Sequence, residues 1–292
     1  MGQDIKLNVL PLIPEIEPEL REVAECAAGS ILKSGGKIPH TVGIHVREID
    51  WWYRLSSNRY INAYSHLSTC KYLRSLDAAN SPAKDFYFLK QLEYLETLRV
   101  GRYKLYDSKY GRGPTNESIR KHWEGVGCYE IKQNPLYRRI RKKRDKPLPG
   151  FTDIEWVTSL TLLKELSIEV HDVIDYTPLS KLKNLEVLKL HGVKCLNLEM
   201  ISQLENLKEL ELYNCAVEDL SVLGQFENLK KLSITRCNIG FLAHLPESLT
   251  DFHGYKNRFN DVIITDSLPN LNTFSFLGSE IKGKEIGLDR LI

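Results

Sequence analysis

A leucine recurs every 22 residues along much of the chain. In Leu-x-x-Leu-x-Leu frames the starting positions run Leu163, Leu185, Leu207 and Leu229, and Leu73 to Leu95 is a further step of 22. A fixed period of this length leaves few folding options, because no single unit can bury its own apolar face. Units must stack and share one continuous core. Within a unit the fourth and sixth residues alternate with polar ones, as in Leu207-Lys-Glu-Leu210-Glu-Leu212 and Leu229-Lys-Lys-Leu232-Ser-Ile234. Alternation of period two predicts a short strand with one buried face. Between strands the apolar residues step by three: Val217, Leu220, Leu223, Phe226, Leu229, and likewise Ile154, Val157, Leu160, Leu163. That spacing predicts a 3-10-like or helical return on the opposite, convex side. The expected fold class is α/β, a solenoid with a curved parallel sheet inside and short helical turns outside.

The units resemble the 22-residue class of leucine-rich repeats, found in bacterial internalins and in a regulatory subunit of protein phosphatase 1. Cys215 and Cys237 stand where that repeat usually has Asn or Cys, beneath the turn that leaves the strand, and read as small buried side chains. Leu245-Pro-Glu-Ser-Leu249-Thr-Asp-Phe252 comes 20 residues after its predecessor and resembles the Leu-Pro-x-x-Leu repeats of bacterial secreted effectors. Leu271, Phe274, Phe276 and Ile281 return to the step of 22. The resemblance implies a right-handed leucine-rich-repeat solenoid of roughly eight or nine units that binds along its concave sheet. It does not imply which ligand.

Four segments follow from the pattern. Residues 1–50 read as an N-terminal cap, with an amphipathic helix over about 17–34 that turns Leu20, Val23, Ala27 and Ile31 inward and stops at Gly35-Gly36. A first, atypical strand is expected at Val42, Ile44 and Val46. Residues 51–103 and 151–292 carry repeats. Residues 104–150 read as an irregular basic and aromatic insertion, in which Trp123-Glu-Gly-Val126-Gly-Cys128 suggests one degenerate strand.

The net charge of +2 conceals a strong segregation. Residues 99–146 hold 15 Lys/Arg against 5 Asp/Glu, and the rest of the chain holds 25 against 33. Arg138, Arg139, Arg141, Lys142, Lys143 and Arg144 lie in one run ending at Lys146. Such a run suits an acidic protein surface, or phosphates with Trp123 and nearby tyrosines stacking on bases; it equally suits a solvated loop. Residues 151–292 carry 14 basic and 21 acidic residues, which argues against a general nucleic-acid binder.

The strand register predicts which side chains line the concave sheet. One column is Ser167, Lys189, Glu211, Ser233, His253 and Ser275; its neighbour is Glu169, His191, Tyr213, Thr235, Tyr255 and Leu277, with Arg236 and Lys256 just beyond. From these, Glu169, Lys189, His191, Glu211, Tyr213, Thr235, Arg236, His253 and Tyr255 form the candidate partner-binding set. Tyrosines, histidines and mixed charge suit a protein ligand. His191 and His253 lie three repeats apart, too far for one metal ion. No HExxH, GxSxG, Walker or dinucleotide signature occurs, so neither catalysis nor a cofactor is expected.

Six cysteines without a CxxC pair suggest a reduced, cytoplasmic setting. The first residues lack the apolar core of a signal peptide, Lys6 spoils a myristoylation motif at Gly2, and no apolar run reaches 18 residues. The expected function is a non-enzymatic protein-protein interaction module. Two bacterial roles fit it: a toxin-immunity or inhibitor protein, which a neighbouring toxin gene would favour, and an effector or adaptor, which dependence on a secretion system would favour. The alternative is a nucleic-acid-associated protein using the basic run 138–146.

Overall fold

The computed structural model describes residues 16–33, 42, 46, 48–50, 67–79, 86–101, 153–169, 173, 175–193, 196–265 and 267–290. Among these residues helix α1 (Pro18–Lys33) precedes fourteen strands. Nine of them form one parallel sheet in the order β1 (Glu48–Asp50), β2 (Ser75–Ala79), β3 (Thr97–Gly101), β4 (Glu165–Glu169), β5 (Val187–His191), β6 (Glu209–Tyr213), β8 (Lys231–Thr235), β10 (Asp251–Tyr255) and β12 (Thr273–Leu277). Each strand sits beside its sequence neighbour in the array, which is the leucine-rich-repeat solenoid.

The alternating frame produces this sheet because only one register buries every leucine. Leu98, Leu166, Leu188, Leu210, Leu232, Phe252 and Phe274 lie opposite one another across successive strands. Val100, Ile168, Leu190, Leu212 and Ile234 form the second inward row. From Leu98 to Phe252 every one of these side chains is fully or almost fully buried. At about 1.5–3 kcal/mol for each large aliphatic side chain, this shared core is what holds the stack together.

Behind the sheet run 3-10 turns at Tyr87–Gln91, Glu155–Ser159, Thr177–Lys181, Leu198–Ile201 and Ser221–Gln225. Four of them open on a carboxylate or amide that accepts from the backbone two residues on: Asp153 from Glu155 N (2.6 Å), Asp175 from Thr177 N (2.9 Å), Asn197 from Glu199 N (2.9 Å) and Asp219 from Ser221 N (2.7 Å). A ladder of asparagines ties each turn to the previous one. Asn184, Asn206, Asn228 and Asn270 donate to the carbonyls of Thr161, Lys183, Glu205 and Glu247 at 2.8–2.9 Å.

Several expectations need correction. A second parallel sheet, ordered β13 (Glu280–Ile281), β11 (Arg258–Ile263), β9 (Asn238–Ala243), β7 (Ala216–Asp219), holds Val217 where the three-residue spacing suggested only a turn, with Ile239 and Phe259 on the strands beside it; β14 (Glu285–Ile286) also pairs with β11. In the unit that is two residues shorter, β9 runs to Ala243 and no 3-10 helix precedes Leu249. Among the described residues the first strand is Glu48–Asp50; of the strand expected at Val42, Ile44 and Val46, Val46 is buried and Ile44 lies outside the described residues. Helix α1 runs Pro18–Lys33 against an expected span of about 17–34; Leu20 is 46% exposed rather than inward, Ala24 and Ala28 are buried, and the side chains of Val23, Ala27 and Ile31 lie outside the described residues. Strands β3 and β4 pair directly, Leu98 opposite Leu166, and the strand suggested at Trp123–Cys128 lies outside the described residues.

Cys70, Cys215 and Cys237 are free and buried. The Cys215 amide donates to the Cys237 sulfur at 3.3 Å, and the Cys215 thiol contacts the Leu190 carbonyl at 3.3 Å. Contact with Cys215 and burial push the Cys237 thiol up, and burial raises Cys70 to about 11. The hydrogen bond with Cys237 lowers the Cys215 thiol, but burial closes all three to a reagent, so a thiol reagent added to the folded protein near neutral pH is expected to leave them unlabelled, with modification appearing only on denaturation. Mass mapping that finds Cys215 or Cys237 labelled without unfolding would contradict their packing.

Candidate functional site

The register places the predicted columns as read. Ser167, Lys189, Glu211, Ser233, His253 and Ser275 are successive Cα partners, as are Glu169, His191, Tyr213, Thr235, Tyr255 and Leu277. A third column, not considered from sequence, runs Thr97, Glu165, Val187, Glu209, Lys231, Asp251, Thr273. All three project from the concave face because side chains alternate along each strand. His191 and His253 are separated by three strand spacings, about 14 Å at ~4.8 Å each.

Toward the β3–β5 end the face is a connected polar chain. Arg99 donates to Glu169 Oε1 at 2.7 Å and lies 3.5 Å from Asp77. His191 follows, with Nδ1 3.8 Å from Glu169 and Nε2 3.1 Å from Glu211. The His191 hydrogen bond holds the Glu211 carboxyl below the usual carboxylate range. Glu169 is the unexpected member: it is only 3% exposed, and its second oxygen, Oε2, is buried without a hydrogen-bond partner. A carboxylate oxygen left this way is costly, and a donor that reached it would gain by satisfying it. Nothing in the sequence distinguishes Glu169 from an ordinary surface glutamate.

Toward β12 the face turns aromatic and apolar. The His191 and Tyr213 rings meet at 5.5 Å between centroids, Tyr255 is 43% exposed and Leu277 68% exposed. Lys189 bridges to Glu165 at 2.8 Å and Lys231 to Glu209 at 2.8 Å, which fixes long side chains in the middle of the sheet.

The residue after each strand turns the chain out of the sheet. Gly192, Asn214, Arg236, Lys256 and Gly278 all have positive φ, from 53° to 77°. Gly and Asn tolerate this conformation, whereas Arg and Lys adopt it at a cost. The two long cations thus occupy strained positions at the rim, with Arg236 Nη1 3.3 Å from the Tyr213 hydroxyl and Lys256 Nζ 4.9 Å from the Tyr255 ring centroid. Arg236→Gly is expected to raise stability by about 1 kcal/mol by relieving the left-handed backbone. Thermal unfolding checks this; a clear loss of stability would show that the arginine side chain outweighs the strain.

The candidate loop residues Arg138, Arg139, Arg141, Lys142, Lys143 and Arg144 lie outside the described residues, as do Cys128 and Cys195. Among the described residues no cluster of three or more His, Cys, Asp or Glu is arranged to hold a metal ion, and no helix is long and apolar enough to cross a membrane.

No family model and no curated protein matches the chain. Solved structures do. The chain is similar to the Arabidopsis receptor kinase HAESA, solved with a peptide hormone and a co-receptor, at 14% identity and a TM-score of 0.50, over 84% of this chain and 40% of that one. It is also similar to an internalin C2 of Listeria monocytogenes (13% identity, TM-score 0.45, 89% and 93% covered) and to an internalin, inlF, of the same organism (15%, 0.47, 96% and 81%). At these identities the likeness concerns the fold alone, and the fold is that of leucine-rich-repeat proteins.

Proposed function

We propose that this chain is a non-enzymatic binding module whose concave sheet receives a protein partner bearing basic and apolar side chains. The observation that carries the reading is the preordered chain Arg99–Glu169–His191–Glu211, in which a buried carboxylate oxygen lacks a donor beside a face that becomes aromatic toward Tyr255. Groups already held in place lose little entropy on binding. Across β2–β12 the three columns carry six carboxylates (Asp77, Glu165, Glu169, Glu209, Glu211, Asp251) and three permanent cations (Arg99, Lys189, Lys231). Such a face repels a phosphate backbone and attracts a basic surface. Exposed Tyr255 and half-exposed Tyr213 supply the rigid amphipathic area typical of protein contacts.

The contact surface comprises Glu169, Lys189, His191, Glu211, Tyr213, Thr235, Arg236, His253 and Tyr255. The basic run Arg138–Lys146 is a proposed second contact for an acidic patch, resting on its sequence alone. The test starts from capture of a partner by the tagged chain from native lysate, in nuclease-treated and untreated halves. Tyr213→Ala with Tyr255→Ala should then weaken that complex at least tenfold, about 1.4 kcal/mol. Unchanged affinity would remove the concave face from the interface. Capture that disappears with nuclease, and that falls steeply between about 50 and 200 mM salt, would shift the reading to nucleic acid on the basic run.

A further inference from the structure

Strand β12 closes the nine-stranded sheet, and among the described residues nothing pairs with its outer edge. Its backbone hydrogen bonds show which groups face outward. Thr273 N donates to Thr250 O at 3.1 Å, and Leu277 O accepts from Lys256 N at 2.9 Å. In a parallel ladder the groups of alternate residues point to opposite sides. Thr273, Ser275 and Leu277 therefore engage β10, and the N–H and C=O of Phe274 and Phe276 point out of the sheet. The strand reads Thr-Phe-Ser-Phe-Leu: it has no charge, no proline and no bulge, the devices that normally blunt an edge. The inward face of β12 is also incompletely covered, since Phe274 and Phe276 are only half-buried at the end of an aromatic stack with Phe252 and Phe259.

We propose that β12 is a self-association edge, pairing antiparallel with β12 of a second copy about a two-fold axis through Ser275. The sequence is self-complementary in that register. Phe274 lies opposite Phe276 of the partner copy and Phe276 opposite Phe274, so the four outward N–H and C=O pairs form hydrogen bonds. The inward phenylalanines of both copies continue one core. Thr273 faces the partner's Leu277 on the concave side, and no like charges meet along the strand. A head-to-tail contact would add copies without closing, whereas the two-fold arrangement uses the same edge of both copies and closes as a dimer. The two concave sheets then become one continuous surface, presenting two copies of the partner-binding columns side by side.

The test uses the full chain in sedimentation equilibrium. Mass is expected to rise from 33.6 kDa toward twice that between about 1 and 100 µM, since the shared edge is small for a permanent dimer. Thr273→Lys with Leu277→Lys should abolish the dimer, because the register sets lysine against lysine at exposed positions that the fold does not need. Mixing that variant with Thr273→Glu, Leu277→Glu should restore a mixed dimer. Ser275→Cys should form a disulfide-linked dimer on mild oxidation, since Ser275 meets its own copy in a non-hydrogen-bonded pair about 4.5 Å apart at Cα. Thr273→Cys, facing Leu277, should not. A monomer throughout the concentration range, or a dimer that survives the lysine pair, would overturn the proposal.

Discussion

Gly101→Ala is expected to destabilise the solenoid by about 3 kcal/mol, lowering the thermal midpoint by about 6–12 °C. Gly101 ends β3 with φ of 106°, a conformation that costs an L-residue about 1–2 kcal/mol on its own. The surroundings add more. An added Cβ would lie 2.6 Å from the Glu169 amide nitrogen and nearer still to its carbonyl oxygen. Those atoms are backbone and cannot rotate aside, so β3 and β4 would have to separate at their last pair. Gly278→Ala is the control. It shares a positive φ of 65°, but its added Cβ would meet only the Lys256 side chain at 3.4 Å. That substitution should cost about 1 kcal/mol, as non-glycine residues already occupy the equivalent positions at Asn214, Arg236 and Lys256. Urea unfolding of both variants would separate the two causes. Equal losses would mean that backbone conformation, rather than the β3–β4 approach, explains Gly101.

The contrast between these glycines shows where the sequence was readable. The sheet was legible because alternation around Leu166, Leu188, Leu210 and Leu232 leaves one register that buries all of them, and the concave columns follow once the register is known. Gly101 was not legible. The strand beside it begins at Glu165, and no local pattern announces which residue will close upon it after so long an excursion. The second sheet was hidden for a different reason. Val217 fits a three-residue apolar spacing and a buried strand equally well, so only its pairing with Ile239 decides. The asparagines before Leu185, Leu207, Leu229 and Leu271 recur in the sequence, and that repetition could have revealed the ladder they build. Glu169 carried no such signal, since a charged residue on a predicted open face reads as solvated. Its burial depends on what Arg99, His191 and the neighbouring strands do together.

That dependence gives the other large effect: Arg99→Ala is expected to cost about 2–4 kcal/mol. The guanidinium supplies the 2.7 Å hydrogen bond to Glu169 Oε1, and the other carboxylate oxygen already lacks a donor. Removing one partner of a buried pair strands the remaining charge, at a penalty of about 3–5 kcal/mol in fully buried cases. Arg99 itself is one-third exposed, so water entering its place lowers the figure. Glu169→Gln alone should be mild, because Arg99 keeps Asp77 at 3.5 Å. The double variant Arg99→Met, Glu169→Leu should recover most of the loss, since neither charge then remains to be solvated. Chemical denaturation of the wild type, Arg99→Met, Glu169→Leu and the double variant forms a double-mutant cycle with an expected coupling of about 2 kcal/mol. The cycle also bears on binding. A strong coupling means that Glu169 is held dry and aimed, so a basic side chain from a partner meets a preset acceptor. Coupling near zero would mean that water already serves Glu169. The concave face would then lose its polar anchor, leaving the tyrosines to carry recognition alone.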